Sequence, residues 1–124
     1  MEALRVLGAG VEELGAPGCL PVAVTGPVNG GHVSLAGHLS SQFLSALLLA
    51  GPLMRDGLQV ELTSPAVSMP YLRMTLAVMA HFGARADLNA TATRVDPGEY
   101  RACRYVVEPD ASAASYWLLA VLSG

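Results

Sequence analysis

His32-Val33-Ser34-Leu35-Ala36, then Ser40-Ser41-Gln42-Phe43-Leu44-Ser45-Ala46-Leu47-Leu48-Leu49-Ala50, then Leu58-Gln59-Val60-Glu61-Leu62 follow one another with short connections. The first run alternates polar and apolar side chains, the period of a half-buried strand, and the third reads as a strand by the same signs. The middle run opens on serine, which caps helices. It stops at Gly51-Pro52, because proline disfavours helical backbone in the residue before it. It is apolar on nearly every side, which predicts a helix enclosed by sheet rather than one lying on a surface. Strand, helix, strand is the opening of an α/β fold.

Working outward, Ala3 to Leu7 reads as the tail of a helix closed by Gly8 and Gly10. Val11 to Leu14 and Pro21 to Thr25 are strand-length apolar runs, and Asn29-Gly30 is a hairpin signal leading into the strand at His32. Downstream, Pro70 starts a helix with Leu72, Leu76 and Met79 on one face, and Gly83 stops it. Weak strands are expected at Ala86 to Leu88 and Thr93 to Val95, a turn at Asp96-Pro97-Gly98, and a further strand at Tyr105-Val106-Val107. Asp110 then caps a helix from Ala111 to Leu122. Both ends of the chain fall against such elements, so the expectation is one incomplete domain over residues 1–124, truncated at both ends.

Composition narrows the function classes. Of the 124 residues, 52% are apolar and only 14% charged, against roughly 25% charged in ordinary soluble domains. Part of the surface is therefore expected to be covered by something else, and the isolated chain to self-associate or pack loosely. The apolar run Leu44 to Met54 is broken by Ser45, Gly51 and Pro52 and is short of the ~20 residues that cross a bilayer. With no basic-then-apolar leader, a cytoplasmic chain with no membrane partner is expected. Cys19 and Cys103 are far apart and read as two reduced thiols. A net charge of −3 argues against nucleic acid as a partner. All seven basic residues are arginine, which excludes a Schiff-base, P-loop or general-base lysine. His32, His38 and His81 have no paired spacing, so no metal site is expected. Asn89-Ala90-Thr91 matches a glycosylation sequon, read as chance.

Two helix starts could carry chemistry. In Gly37-His38-Leu39-Ser40-Ser41-Gln42 a strand turns into a helix whose free N–H groups and positive dipole end suit an anion. Capping by Ser40 or Ser41 is the plainer reading. An amide at Gln42, if buried, would need partners that a ligand could supply. Ser68-Met69-Pro70-Tyr71 sets another hydroxyl and an aromatic hydroxyl at a second start, where capping is an equal alternative.

These residues, with Phe43 to Leu48, then Met74-Thr75-Leu76, then Glu108-x-Asp110-Ala111-Ser112, stand in the order and separation of three motifs of 5-enolpyruvylshikimate-3-phosphate synthase. The chain resembles that family over essentially its whole length. The resemblance implies an inside-out α/β barrel type of domain built from repeated βαβαββ units. This chain would be the later part of the first, substrate-binding domain. It also implies transfer of the carboxyvinyl group of phosphoenolpyruvate to the 5-hydroxyl of shikimate 3-phosphate, with release of phosphate and no metal or other cofactor. By motif position, Ser40, Ser41 and Ser68 would hold the 3-phosphate, Gln42 would touch both ligands, and Tyr71 would meet the shikimate ring. Asp110 stays a cap. No catalytic residue is expected here, because the family's lysine, arginine and aspartate groups lie in parts of the enzyme this chain lacks. Ala113 and Arg73 depart from the family pattern without breaking it. The alternatives are a non-catalytic module that only binds shikimate 3-phosphate, or an assembly subunit, and a relative of the UDP-N-acetylglucosamine enolpyruvyl transferase.

Overall fold

The computed structural model describes residues 1–38, 40–65 and 68–123. In chain order the elements are α1 (Glu2–Val6), β1 (Gly10–Glu13), β2 (Val22–Thr25), β3 (Gly31–Leu35), α2 (Ser41–Ala50), β4 (Leu58–Leu62), α3 (Met69–His81), β5 (Ala86–Leu88), β6 (Ala92–Val95) and α4 (Ala111–Ser123). A one-turn 3₁₀ segment, Gly51–Leu53, closes α2 where Pro52 was expected to end it. The run from β3 to β6 is one complete βαβαββ unit. Its sheet has the order β3-β4-β6-β5, with β3 parallel to β4 and both remaining pairs antiparallel. The mixed α/β class and the βαβαββ unit are thus as expected from the sequence.

The core lies between this sheet and the two helices. Strand β4 alternates strictly, with Leu58, Val60 and Leu62 buried and Gln59 and Glu61 exposed, so one face of the sheet packs inward and the other faces solvent. Leu44 and Leu48 of α2, Leu72 and Met79 of α3, Val33 and Val95 join them. Leu48 is 0% exposed, and burying a leucine is worth about 1.5–3 kcal/mol. The hydroxyl of Thr93, also buried, donates to the Asp87 carbonyl at 2.9 Å. In the β5–β6 turn Asn89 Oδ1 accepts from the N–H groups of Thr91 (2.9 Å) and Ala92 (2.7 Å). The sequon asparagine is therefore a turn residue holding its own backbone.

A second copy of the helix–hairpin half of the unit precedes the first. At the end of α1, Gly8 N donates to Arg5 O (3.0 Å) and Ala9 N to Leu4 O (2.9 Å); at the end of α3, Gly83 N donates to Ala80 O and Ala84 N to Met79 O, both at 3.0 Å. Gly8 and Gly83 have φ of +97° and +86°, the left-handed geometry that ends helices and that glycine adopts without strain. Each helix then runs into an antiparallel hairpin, β1–β2 or β5–β6. Each hairpin exits through an N–H donated to the residue before the glycine, Asn29 N to Leu7 O and Arg101 N to Phe82 O, both 2.8 Å.

Three expectations are corrected. Asn29-Gly30 does not turn a hairpin, because β2 pairs only with β1 while β3 pairs with β4. Gly30, at φ +93°, is needed for close approach: a Cβ there would lie 2.1 Å from the Gly57 carbonyl oxygen. Helix α2 is not enclosed. Only Leu44 and Leu48 are buried, and Phe43 is 63% exposed, because sheet and α3 cover one side alone. Tyr105-Val106-Val107 is not a strand. It stands where the repeat puts β3, but no strand lies beside it among the described residues, and β-branched side chains do not make a ladder without a partner. Helix α4 buries none of its residues.

Candidate functional site

Strands β3 and β4 end level, with Leu35 opposite Leu62 in the parallel ladder. The connections that follow are nearly equal, since α2 starts at Ser41 and α3 at Met69. Both helices therefore begin at the same edge of the sheet, beyond the carboxyl ends of its parallel strands. That is where α/β proteins commonly place ligands.

The two connections are fastened together. Thr63 N donates to Leu35 O at 2.9 Å, and His38 N donates to Ser64 Oγ at 3.3 Å. Gly37 is buried in the junction, and a Cβ on it would stand 2.0 Å from the Ser64 carbonyl oxygen and 2.7 Å from that of Pro65. No side chain fits there without moving the opposite backbone. Behind the junction α2 packs on α3, and Ser45 Oγ lies 3.2 Å from Thr75 Oγ1. Ser45 is four residues beyond Ser41 and Thr75 four beyond Tyr71, one turn in each helix. Ser41 and Tyr71 thus stand at the same level above that contact.

Ser40 is the N-cap of α2, its Oγ accepting from Gln42 N at 3.3 Å. Capping uses the oxygen as acceptor and leaves its O–H free to donate. Ser41 is half-buried at the first residue of α2, and Gln42 is exposed. An argument from a buried amide in want of partners therefore does not apply to Gln42. Ser68 precedes α3 in left-handed backbone, φ +64°, and its side chain makes no capping hydrogen bond. A left-handed serine costs about 1–2 kcal/mol, so the backbone presents this hydroxyl in a conformation that capping does not explain. Tyr71 is 60% exposed, with its carbonyl accepting from Thr75 Oγ1 at 2.9 Å. Neither helix carries an acidic residue in its first turn, so nothing there offsets the positive dipole ends. Asp110 caps α4 as expected, through Ser112 N (2.8 Å) and Ala113 N (3.2 Å).

The described part of the edge thus offers hydroxyl donors, free helix N–H groups and one aromatic ring. Such a set can bind and orient an anion. Among the described residues no group of three or more His, Cys, Asp or Glu could hold a metal ion. None of the helices described is long and apolar enough to cross a membrane. The sequence reading gave no role to Ser45 and Thr75, although both lie inside the quoted motifs, or to Ser64, because their contacts span 26 to 30 residues of chain.

The chain is similar to known proteins over nearly its whole length. Residues 1–123 match the family model for EPSP synthase (3-phosphoshikimate 1-carboxyvinyltransferase). The chain is 43% identical over 119 residues to the 3-phosphoshikimate 1-carboxyvinyltransferase of Bacteroides fragilis, with 94% of the chain and 29% of the relative covered. It is 43% identical over 124 residues to the protein of the same name from Shewanella pealeana, covering 97% of the chain and 29% of the relative. The same identity holds over 126 residues with that of Methanosphaerula palustris, covering 99% and 30%. The chain spans under a third of the length of these curated relatives. With residues 1–123 matching the family model and a complete βαβαββ unit at its centre, this chain belongs to the EPSP synthase family.

Proposed function

We propose that this chain forms the wall of an active-site cleft that grips the 3-phosphate of shikimate 3-phosphate, as the later part of the first domain of a cytoplasmic 3-phosphoshikimate 1-carboxyvinyltransferase. In that reaction the 5-hydroxyl of shikimate 3-phosphate adds to phosphoenolpyruvate, and elimination of phosphate leaves the carboxyvinyl ether. Ser40, Ser41 and Ser68 donate hydroxyl protons to the 3-phosphate, Gln42 reaches both substrates, and Tyr71 packs on or bonds to the shikimate ring. The proton transfers and the other contacts to phosphoenolpyruvate fall to the rest of the enzyme, since this segment contains no lysine. The segment's contribution is orientation: a ligand fixed by its phosphate presents its hydroxyl at a constant place.

The observation that carries this reading is the shared edge. Two helix starts with serine at each are tied together by His38–Ser64 and by Ser45–Thr75. Each dipole end supplies about half a positive charge, and hydrogen bonds to a charged partner are worth about 1.5–3 kcal/mol.

The test uses the complete protein that carries this segment. Phosphate release from phosphoenolpyruvate and shikimate 3-phosphate is measured for the unmutated protein and for Ser41→Ala and Ser68→Ala. Each substitution is expected to raise KM for shikimate 3-phosphate by about 10- to 100-fold. A folded, unmutated protein that released no phosphate from the two substrates would refute the activity, and unchanged KM in both variants would refute the site.

A further inference from the structure

The hydroxyls of Ser45 and Thr75 face each other across the two helices. They sit one turn deeper, between α2 and α3, and Ser45 is half-buried. Their hydrogen bonds form an ordered chain. Thr75 Oγ1 donates to the Tyr71 carbonyl at 2.9 Å. A threonine hydroxyl has one proton. At the 3.2 Å contact between the two side chains, Ser45 must therefore be the donor and Thr75 the acceptor. The direction runs from α2, through Thr75, to the backbone of Tyr71.

We infer that Ser45 and Thr75 are positioning residues for the ligand-holding edge: their hydroxyl chain sets the distance and rotation between the turn bearing Ser41 and the turn bearing Tyr71. The inference rests on the reading of these turns as the shikimate 3-phosphate grip. The remaining contacts between the helices are apolar. Leu44, Leu48, Leu72 and Met79 hold the helices together, but apolar contacts are non-directional and tolerate small slides and rotations. A directed hydrogen bond four residues from each ligand-facing residue removes that freedom. Back-bonding of a threonine hydroxyl to the carbonyl one turn earlier also bends a helix slightly, which turns the first turn of α3, and with it Tyr71, relative to the rest of the helix.

The experiment compares Thr75→Val, Ser45→Ala, the double variant and Thr75→Ser in the complete protein, with steady-state kinetics for both substrates and thermal unfolding as a check on folding. Thr75→Val keeps the branched shape and removes the hydroxyl. It and Ser45→Ala are each expected to raise KM for shikimate 3-phosphate by about three- to tenfold, the equivalent of one net hydrogen bond, with kcat and KM for phosphoenolpyruvate changed less than about twofold. The double variant should be no worse than the worse single one, because both remove the same chain. Thr75→Ser, which restores the hydroxyl, should return KM to the unmutated value. Loss of kcat or unfolding temperature with KM unchanged would assign the pair to stability alone and overturn the inference, as would a Thr75→Ser variant that behaves like Thr75→Val. If the unmutated protein itself fails to use shikimate 3-phosphate, the reading of the site falls rather than the role of the pair.

Discussion

Gly37→Ala is the sharpest perturbation of the edge, since it touches neither hydrophobic core nor ligand-facing side chain. The added methyl carbon would stand 2.0 Å from the Ser64 carbonyl oxygen and 2.7 Å from both the carbonyl carbon and oxygen of Pro65. All three are backbone atoms, so no side chain can swing aside. Ordinary contact begins at 3.4 Å, and the two connections must part by about 1.4 Å to reach it. Overpacking of this kind costs about 1–3 kcal/mol, and a displacement of about 1 Å in a positioned group can cost 10²-fold. Isothermal titration of the complete protein with shikimate 3-phosphate should therefore show about 10- to 100-fold weaker binding, and urea unfolding a loss in the range just given. Gly98→Ala is the control, for a Cβ there meets nothing within 4 Å. Gly37→Ala binding and unfolding like Gly98→Ala would refute the claim that the two connections are held in contact at Gly37.

Leu48→Ala and Leu49→Ala should separate by burial, with a loss of about 2–5 kcal/mol at the fully buried Leu48 and within about 0.5 kcal/mol at Leu49, which is 46% exposed; equal midpoints in urea would contradict the placement of α2. Glu13 accepts from Arg5 at 2.9 Å and from Gly18 N at 2.9 Å, and these bonds, that from Arg5 foremost, hold its carboxyl below the ordinary value of 4.5. A depressed carboxylate stabilises the fold above the unfolded pKa and loses that effect as pH falls through the folded one, so unfolding temperatures of the unmutated chain and Glu13→Gln should differ at pH 7 and converge on acidification below about 4.5.

Much of the central unit was legible because its signals are local. The alternation of β3 and β4, the serine at the start of α2, Pro70 in the first turn of α3 and Gly83 at its end are each read within a few residues, and each element formed within a residue or two of its expected bounds. The misreadings concern what lies across the chain. Asn29-Gly30 carries a hairpin's chemistry, yet Gly30 is used to let Gly57 approach. Tyr105-Val106-Val107 has strand composition and no neighbour to pair with. At the site, the cap by Ser40 was readable from the pattern, and the exposure of Gln42 was not. The contact between the hydroxyls of Ser45 and Thr75 gave no signal of its own, although both residues lie inside the quoted motifs, because mid-helix serine and threonine are unremarkable until the fold sets them opposite one another.

The first turns of α2 and α3 contain no carboxylate, and their donors are hydroxyls and peptide N–H groups. Such donors do not titrate near neutrality, unlike a lysine or histidine. Among these donors acidity would thus be registered by the guest and not the host, through the second ionisation of a phosphate ester near pH 6. Hydroxyls and peptide N–H groups keep one charge state across the range in which such a ligand passes from one negative charge to two.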